Sequence, residues 1–149
     1  MLLKAICTPD VVCCGPATTI QAAAALMRAK HTGDIVVVDD PDEERIPLGI
    51  ITDRDIVVDV LAAGLSPATT TVSSILHPPV VVANENEDAS EALQRMRVHG
   101  VRRLPVVGLE GRLVGILTLD DVLDLVAADL NAIVDLVARQ QDREHRSRR

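Results

Sequence analysis

Two Thr–Asp pairs in this chain have the side chains and spacing to grip a sugar phosphate. Thr52 and Asp55 close the run Gly49-Ile50-Ile51-Thr52-Asp53-Arg54-Asp55, and Thr118 and Asp121 close Gly115-Ile116-Leu117-Thr118-Leu119-Asp120-Asp121. In each, Gly and two aliphatics lead to Thr at a helix entrance, with Asp three residues on. A hydroxyl donates or accepts, and a carboxylate accepts from both hydroxyls of a ribose. A helix N-terminus offers N–H groups to phosphate, and glycine allows close approach to the backbone. The same spacing is also a capping box, which stabilises a helix with no ligand present. Duplication of the whole run favours the ligand reading.

The elements that must position these pairs also occur twice. Val11-Val12-Cys13-Cys14 reads as a strand, with Thr18 or Thr19 capping a helix from Ile20 to about Lys30, ended by Gly33. Ile35–Val38 is β-branched throughout and reads as a buried strand. Leu48–Ile51 is a third strand, followed by a helix from Thr52 to Gly64. The order returns with a strand at Val80–Val82, a helix from Asp88 to His99, strands at Leu104–Val107 and Leu113–Leu117, and a helix from Thr118. This gives an α/β fold of two β-α-β-β-α repeats packed as one pseudo-two-fold module. The divisions are residues 3–64 and 73–127 for the repeats, 65–72 for the linker and 128–149 for a C-terminal helix extension and polar tail.

That last helix outruns its counterpart. Val122, Val126, Leu130, Ile133 and Val137 form one apolar stripe. It either packs back on its own domain or pairs with a second subunit. Beyond Arg139 nothing apolar remains to bury, so a frayed tail is expected.

The net charge of −7 argues against nucleic acid as a partner. There is no Phe, Tyr or Trp, so a bound base must be held by aliphatic side chains and backbone. No apolar run reaches the ~18 residues of a membrane span, and no signal peptide is evident. Cys7, Cys13 and Cys14 lack C-x-x-C spacing and read as buried thiols, which makes a cytoplasmic location the default and gives no metal site. His31, His77, His99 and His145 stand beside no nucleophile pattern, so catalysis is not expected.

His99-Gly100-Val101-Arg102-Arg103-Leu104-Pro105-Val106-Val107 followed by Gly115–Val122 resembles a CBS domain, the module named for cystathionine β-synthase. Gly33–Val38 with Gly49–Asp55 resembles it less closely. The resemblance implies a regulatory pair with up to two clefts for AMP, ADP, ATP or S-adenosylmethionine, commonly assembled as a flat homodimer and acting on a downstream protein. It implies that Asp55 and Asp121 hold ribose hydroxyls and that Thr52 and Thr118 contact ribose or phosphate. Arg102 and Arg103 would meet phosphate, and Ile35 and Leu104, with their strand neighbours, would flank the base. Asp120 and Arg54 stand at matching positions in the two helix turns and complete the candidate set with Gly33 and Asp34. Because Gly33-Asp34 replaces Arg102-Arg103, the clefts should differ, with the Thr118/Asp121/Arg102–Arg103 cleft the better for polyphosphate. The alternative reading is a structural dimerisation module with empty clefts.

Overall fold

The computed structural model describes residues 1–147. In the first repeat, β1 (Cys13–Cys14) runs parallel to β2 (Asp34–Val38), and β2 pairs antiparallel with β3 (Pro47–Thr52). In the second, β4 (Ala83–Asn84), β5 (Arg103–Val107) and β6 (Leu113–Thr118) repeat that order and those directions. Helices α1 (Ile20–Lys30) and α3 (Ala89–His99) follow the first strands; α2 (Asp53–Asp55, continuing as a π-helical turn over Ile56–Leu61) and α4 (Leu119–Ser147) follow the third. The two β-α-β-β-α units expected from sequence are both present.

The middle strands lack polar alternation because both faces are covered. Ile35 and Val37 pack in the first repeat's core with Ile20, Ala23 and Met27 of α1. Val36 and Val38 face the other way and meet Leu113 and Ile116 of the second repeat. One strand thus serves its own repeat and the joint between repeats.

Each core is completed by the segment that precedes the other repeat. A short 3-10 turn, Leu3–Ala5, buries Leu3 in the second repeat's core beside Met96, Leu104 and Leu117. Its backbone is tied there by Leu3 N–H to the Glu87 carbonyl (3.0 Å) and Lys4 N–H to the Glu85 carbonyl (3.0 Å). The matching turn, Val72–Ser74, puts Val72 and then Ile75 into the first repeat's core.

Just beyond each turn the chain crosses a glycine. A Cβ on Gly115 would lie 2.6 Å from Cys7 Sγ and 3.0 Å from the Thr8 carbonyl oxygen. That carbonyl is held by Ile116 N–H at 2.9 Å. A Cβ on Gly49 would instead meet the end of the Leu76 side chain at 2.8 Å, which can rotate away. Gly115→Ala should therefore cost about 1–3 kcal/mol by overpacking, and Gly49→Ala clearly less. Urea unfolding of both variants checks the difference.

The structure corrects four local expectations. The opening strands are only two residues long; Val80–Val82 is not strand, and of Val11 and Val12 only the Val12 carbonyl reaches β2, accepting from Val36 N–H at 3.0 Å. Helix α1 is closed by His31 in the left-handed region (φ 52°), with no help from Gly33. The helix after Thr52 is α for one turn and then π. Finally, α4 continues through Ser147, supported by its own i,i+4 contacts such as Gln141 carbonyl with His145 Nδ1 (2.8 Å). Arg148 and Arg149 lie outside the described residues. Among those residues no helix is long and apolar enough to cross a membrane.

Candidate functional site

β6 ends where its sequence turns from aliphatic to Thr118, and α4 starts there. The Asp121 carboxylate accepts from Thr118 N–H (2.7 Å) and from Thr118 Oγ1 (2.8 Å), both on Oδ2, while Asp121 N–H donates to Thr118 Oγ1 (3.2 Å). The first repeat has the same box. Thr52 N–H donates to Asp55 Oδ2 (2.9 Å), and Asp55 N–H to Thr52 Oγ1 (3.2 Å). Capping and ligand binding are compatible here, because among the described residues the bonds leave the second carboxylate oxygen of each Asp free.

The helix entrances offer little to phosphate. Leu119 N–H donates to the Arg102 carbonyl (2.8 Å), and Asp53 N–H to the Gly33 carbonyl (2.9 Å). Arg54 N–H is taken by Asp53 Oδ1 (2.8 Å). Most of the N–H groups that sequence alone would assign to a ligand are thus already bonded.

Thr118 opens on a cleft of about 330 Å³ between the repeats. Its other walls come from the first repeat: Thr8, Val11 and Val12 before β1, Lys30 at the end of α1, Thr32 beyond it, and Asp34 at the start of β2, with Ile116 from β6. Asp10 stands at its rim. A second groove of about 440 Å³, with mainly apolar walls, lies between α3 and the start of α4 and shares no lining residue with this cleft.

Register shows how the repeats map onto each other. Asp34 pairs with Thr52, and Arg103 with Thr118, so Asp34 and Arg103 occupy equivalent positions. They meet across the joint, Arg103 Nε to Asp34 Oδ2 at 3.5 Å. That Nε is buried and makes no hydrogen bond among the described residues. Arg103 faces the Asp34 carboxylate, the Arg102 side chain is exposed and its carbonyl caps α4, and Asp10 and Lys30 bring one further charge of each sign to the cleft. Arg54 and Asp120 are exposed at their matching positions.

Ile35 and Leu104 do not flank a cleft. Both are fully buried beneath the helices of their own repeats, because the two-residue period of a strand turns them away from the joint. Val11, Val12 and Ile116 supply the aliphatic walls instead. Gly33 gives its carbonyl to Asp53 and space to that side chain, since a Cβ there would sit 3.0 Å from Asp53 Oδ2. Lys30, Thr32 and the Thr8–Val12 segment escape notice in sequence, since none belongs to the Thr–Asp run. Their signal is positional: each stands immediately before a strand start. Burial pushes the Cys7 and Cys14 thiols up from their ordinary range, so both stay protonated and pack as small apolar groups.

Residues 3–61 and 72–128 each match the family model of the CBS domain. The chain belongs to the CBS domain family. It is 37% identical over 116 residues to an uncharacterized protein of Methanopyrus kandleri, covering 78% of this chain and 58% of that protein, so it spans under two thirds of that relative's length. Against Hypoxic response protein 1 of Mycobacterium tuberculosis, identity is 39% over 117 residues, 78% of this chain and 79% of the relative. A crystal structure of Hypoxic Response Protein I with two coordinated zinc ions superposes with a TM-score of 0.74 at 37% identity, over 83% of this chain and 98% of that one. A CBS domain pair in complex with 5′-methylthioadenosine and S-adenosyl-L-methionine gives 0.74 at 26% identity, over 87% and 98%.

Proposed function

We propose that this CBS pair is a regulatory sensor, not a catalyst, that binds an adenosyl ligand in the Thr118 cleft. The observation that carries the reading is Thr118, hydrogen-bonded to Asp121, lining an inter-repeat cleft whose volume falls in the roughly 300–1,000 Å³ range of small-molecule sites. The free Asp121 oxygen suits ribose hydroxyls, and Val11, Val12 and Ile116 suit a base. The solved CBS pair holding 5′-methylthioadenosine and S-adenosyl-L-methionine supports the ligand class. Within the wider class of AMP, ADP, ATP and S-adenosylmethionine, a lining with one cation, Lys30, and with Arg103 engaged by Asp34 gives a polyphosphate little countercharge. The order of affinity should run from S-adenosylmethionine and 5′-methylthioadenosine, through AMP, to ATP.

Calorimetric titration of the purified protein with these ligands tests the reading. Saturable heat in that order supports it. No heat from any of them sinks it and leaves a structural dimerisation module.

Signalling in this reading is a population shift: a ligand that bridges the repeats favours one relative arrangement, and a homodimer passes it on to a downstream partner in the cytoplasm. The dimer rests on α4. Only Val122 is buried along its 29 residues, while Val126, Leu130, Ile133 and Val137 of the stripe are at least half exposed. An apolar face that long is uncommon on a monomer. Leu130→Glu should turn a dimer into a monomer in sedimentation velocity, with the melting of each repeat little changed.

A further inference from the structure

Asp55, Asp59 and His77 converge on the outer side of the first repeat, with one ligand-capable atom from each lying within 4.8 Å of the others. His77 Nε2 is 3.2 Å from Asp59 Oδ2. The two carboxylates are four residues apart on one helical face, where the chain passes from α to π winding. The imidazole arrives from a separate segment, the stretch between the Val72–Ser74 turn and β4. One neutral nitrogen and two carboxylate oxygens, drawn from two chain segments, form the donor set of a zinc-class divalent cation. A tetrahedral ion with bonds near 2.0–2.1 Å sets its donors about 3.4 Å apart. The His77–Asp59 contact already meets that spacing, and an Asp55 oxygen lies within 4.8 Å of both.

The fold does not require this trio. At the equivalent places around the second repeat's sheet stand Asp121, Leu125 and, from the N-terminal segment, Thr8, so only the capping Asp is shared. His77 is 77% exposed and Asp59 33%, and a polar contact so open to water contributes little to stability. Folding accounts for Asp55 as a helix cap but gives no reason for Asp59 and His77 to join it, and their chemistry gives one.

We propose that Asp55, Asp59 and His77 form a binding site for a zinc-class divalent cation, with a fourth position open to water. This site does not depend on the adenosyl reading. It does divide the clefts: the cation would occupy Asp55, the ribose candidate of the first repeat, and leave Asp121 to the adenosyl ligand.

Cobalt(II) titration of the intact protein tests the site. The chain has no aromatic residue, so its near-ultraviolet and visible windows are clear. Expected are saturable d–d bands at one equivalent, displaced by zinc. Loss of an outer hydrogen-bond partner already costs a metal site roughly 10–100-fold, so His77→Ala and Asp59→Asn, each removing a ligand, should weaken binding at least as much. Both positions are on the surface, and a thermal melt without metal confirms that the variants fold. No cobalt binding by the intact chain overturns the site, as does unchanged affinity in both variants. A sulfur-to-cobalt charge-transfer band overturns it as well, by assigning the metal to the cysteines.

Discussion

Asp121→Ala should weaken the adenosyl ligand about a hundredfold. A carboxylate accepting from ribose hydroxyls makes charge-assisted bonds worth about 1.5–3 kcal/mol each, and each ~1.4 kcal/mol is tenfold in affinity. The same substitution strips Thr118 N–H and Oγ1 of their acceptor, at a cost to the helix cap of about 1 kcal/mol. Asp121→Asn separates the two effects. The amide oxygen still accepts from Thr118 N–H, so the cap survives, while the ligand loses its ionised acceptor. Calorimetry on both variants, beside thermal melts, distinguishes a lost site from a loosened helix. Unchanged affinity in Asp121→Asn would remove the ribose role from this residue.

Leu3→Ala should be as damaging as the truncation of a central core residue. Leu3 is fully buried among Met96, Leu104 and Leu117, and buried Leu→Ala costs about 2–5 kcal/mol. The damage belongs to the second repeat although the residue precedes the first. In urea unfolding followed by circular dichroism, the midpoint should fall by the amount expected of a central core residue. A change below about 1 kcal/mol would show that the N-terminal turn is not seated as described.

Duplication made much of the fold legible. The Gly-aliphatic-aliphatic-Thr-x-x-Asp runs located both third strands and both helix entrances, and the β-branched run at Ile35–Val38 marked a strand covered on both faces. The exchange of Leu3 and Val72 between cores left no local trace, because a lone aliphatic before a repeat reads the same whichever core receives it. The capping function of the Thr–Asp pairs was readable from spacing alone. The cleft was not, since its walls come from opposite repeats and only tertiary pairing sets Asp34 against Arg103. Likewise, strand phase decides that Ile35 and Leu104 face helices, and a run with no polar residue conceals its phase. His77 drew no attention because Asp55 and Asp59 lie far from it along the chain.

The crossed seating of Leu3 bears on how the protein is made. Translation delivers the Leu3–Ala5 turn first, yet its backbone partners Glu85 and Glu87 come only after the whole first repeat and the linker. The first repeat in turn waits for Val72 and Ile75 to close its core. The first repeat therefore cannot close its core within its own span and must wait for the linker and the turn beyond it, in contrast to domains that fold one by one as they emerge. Contacts this distant along the chain also slow folding. A nascent chain stalled just after Gly64 should remain sensitive to protease, and protection of the first half should appear once Val72 and Ile75 have cleared the exit tunnel.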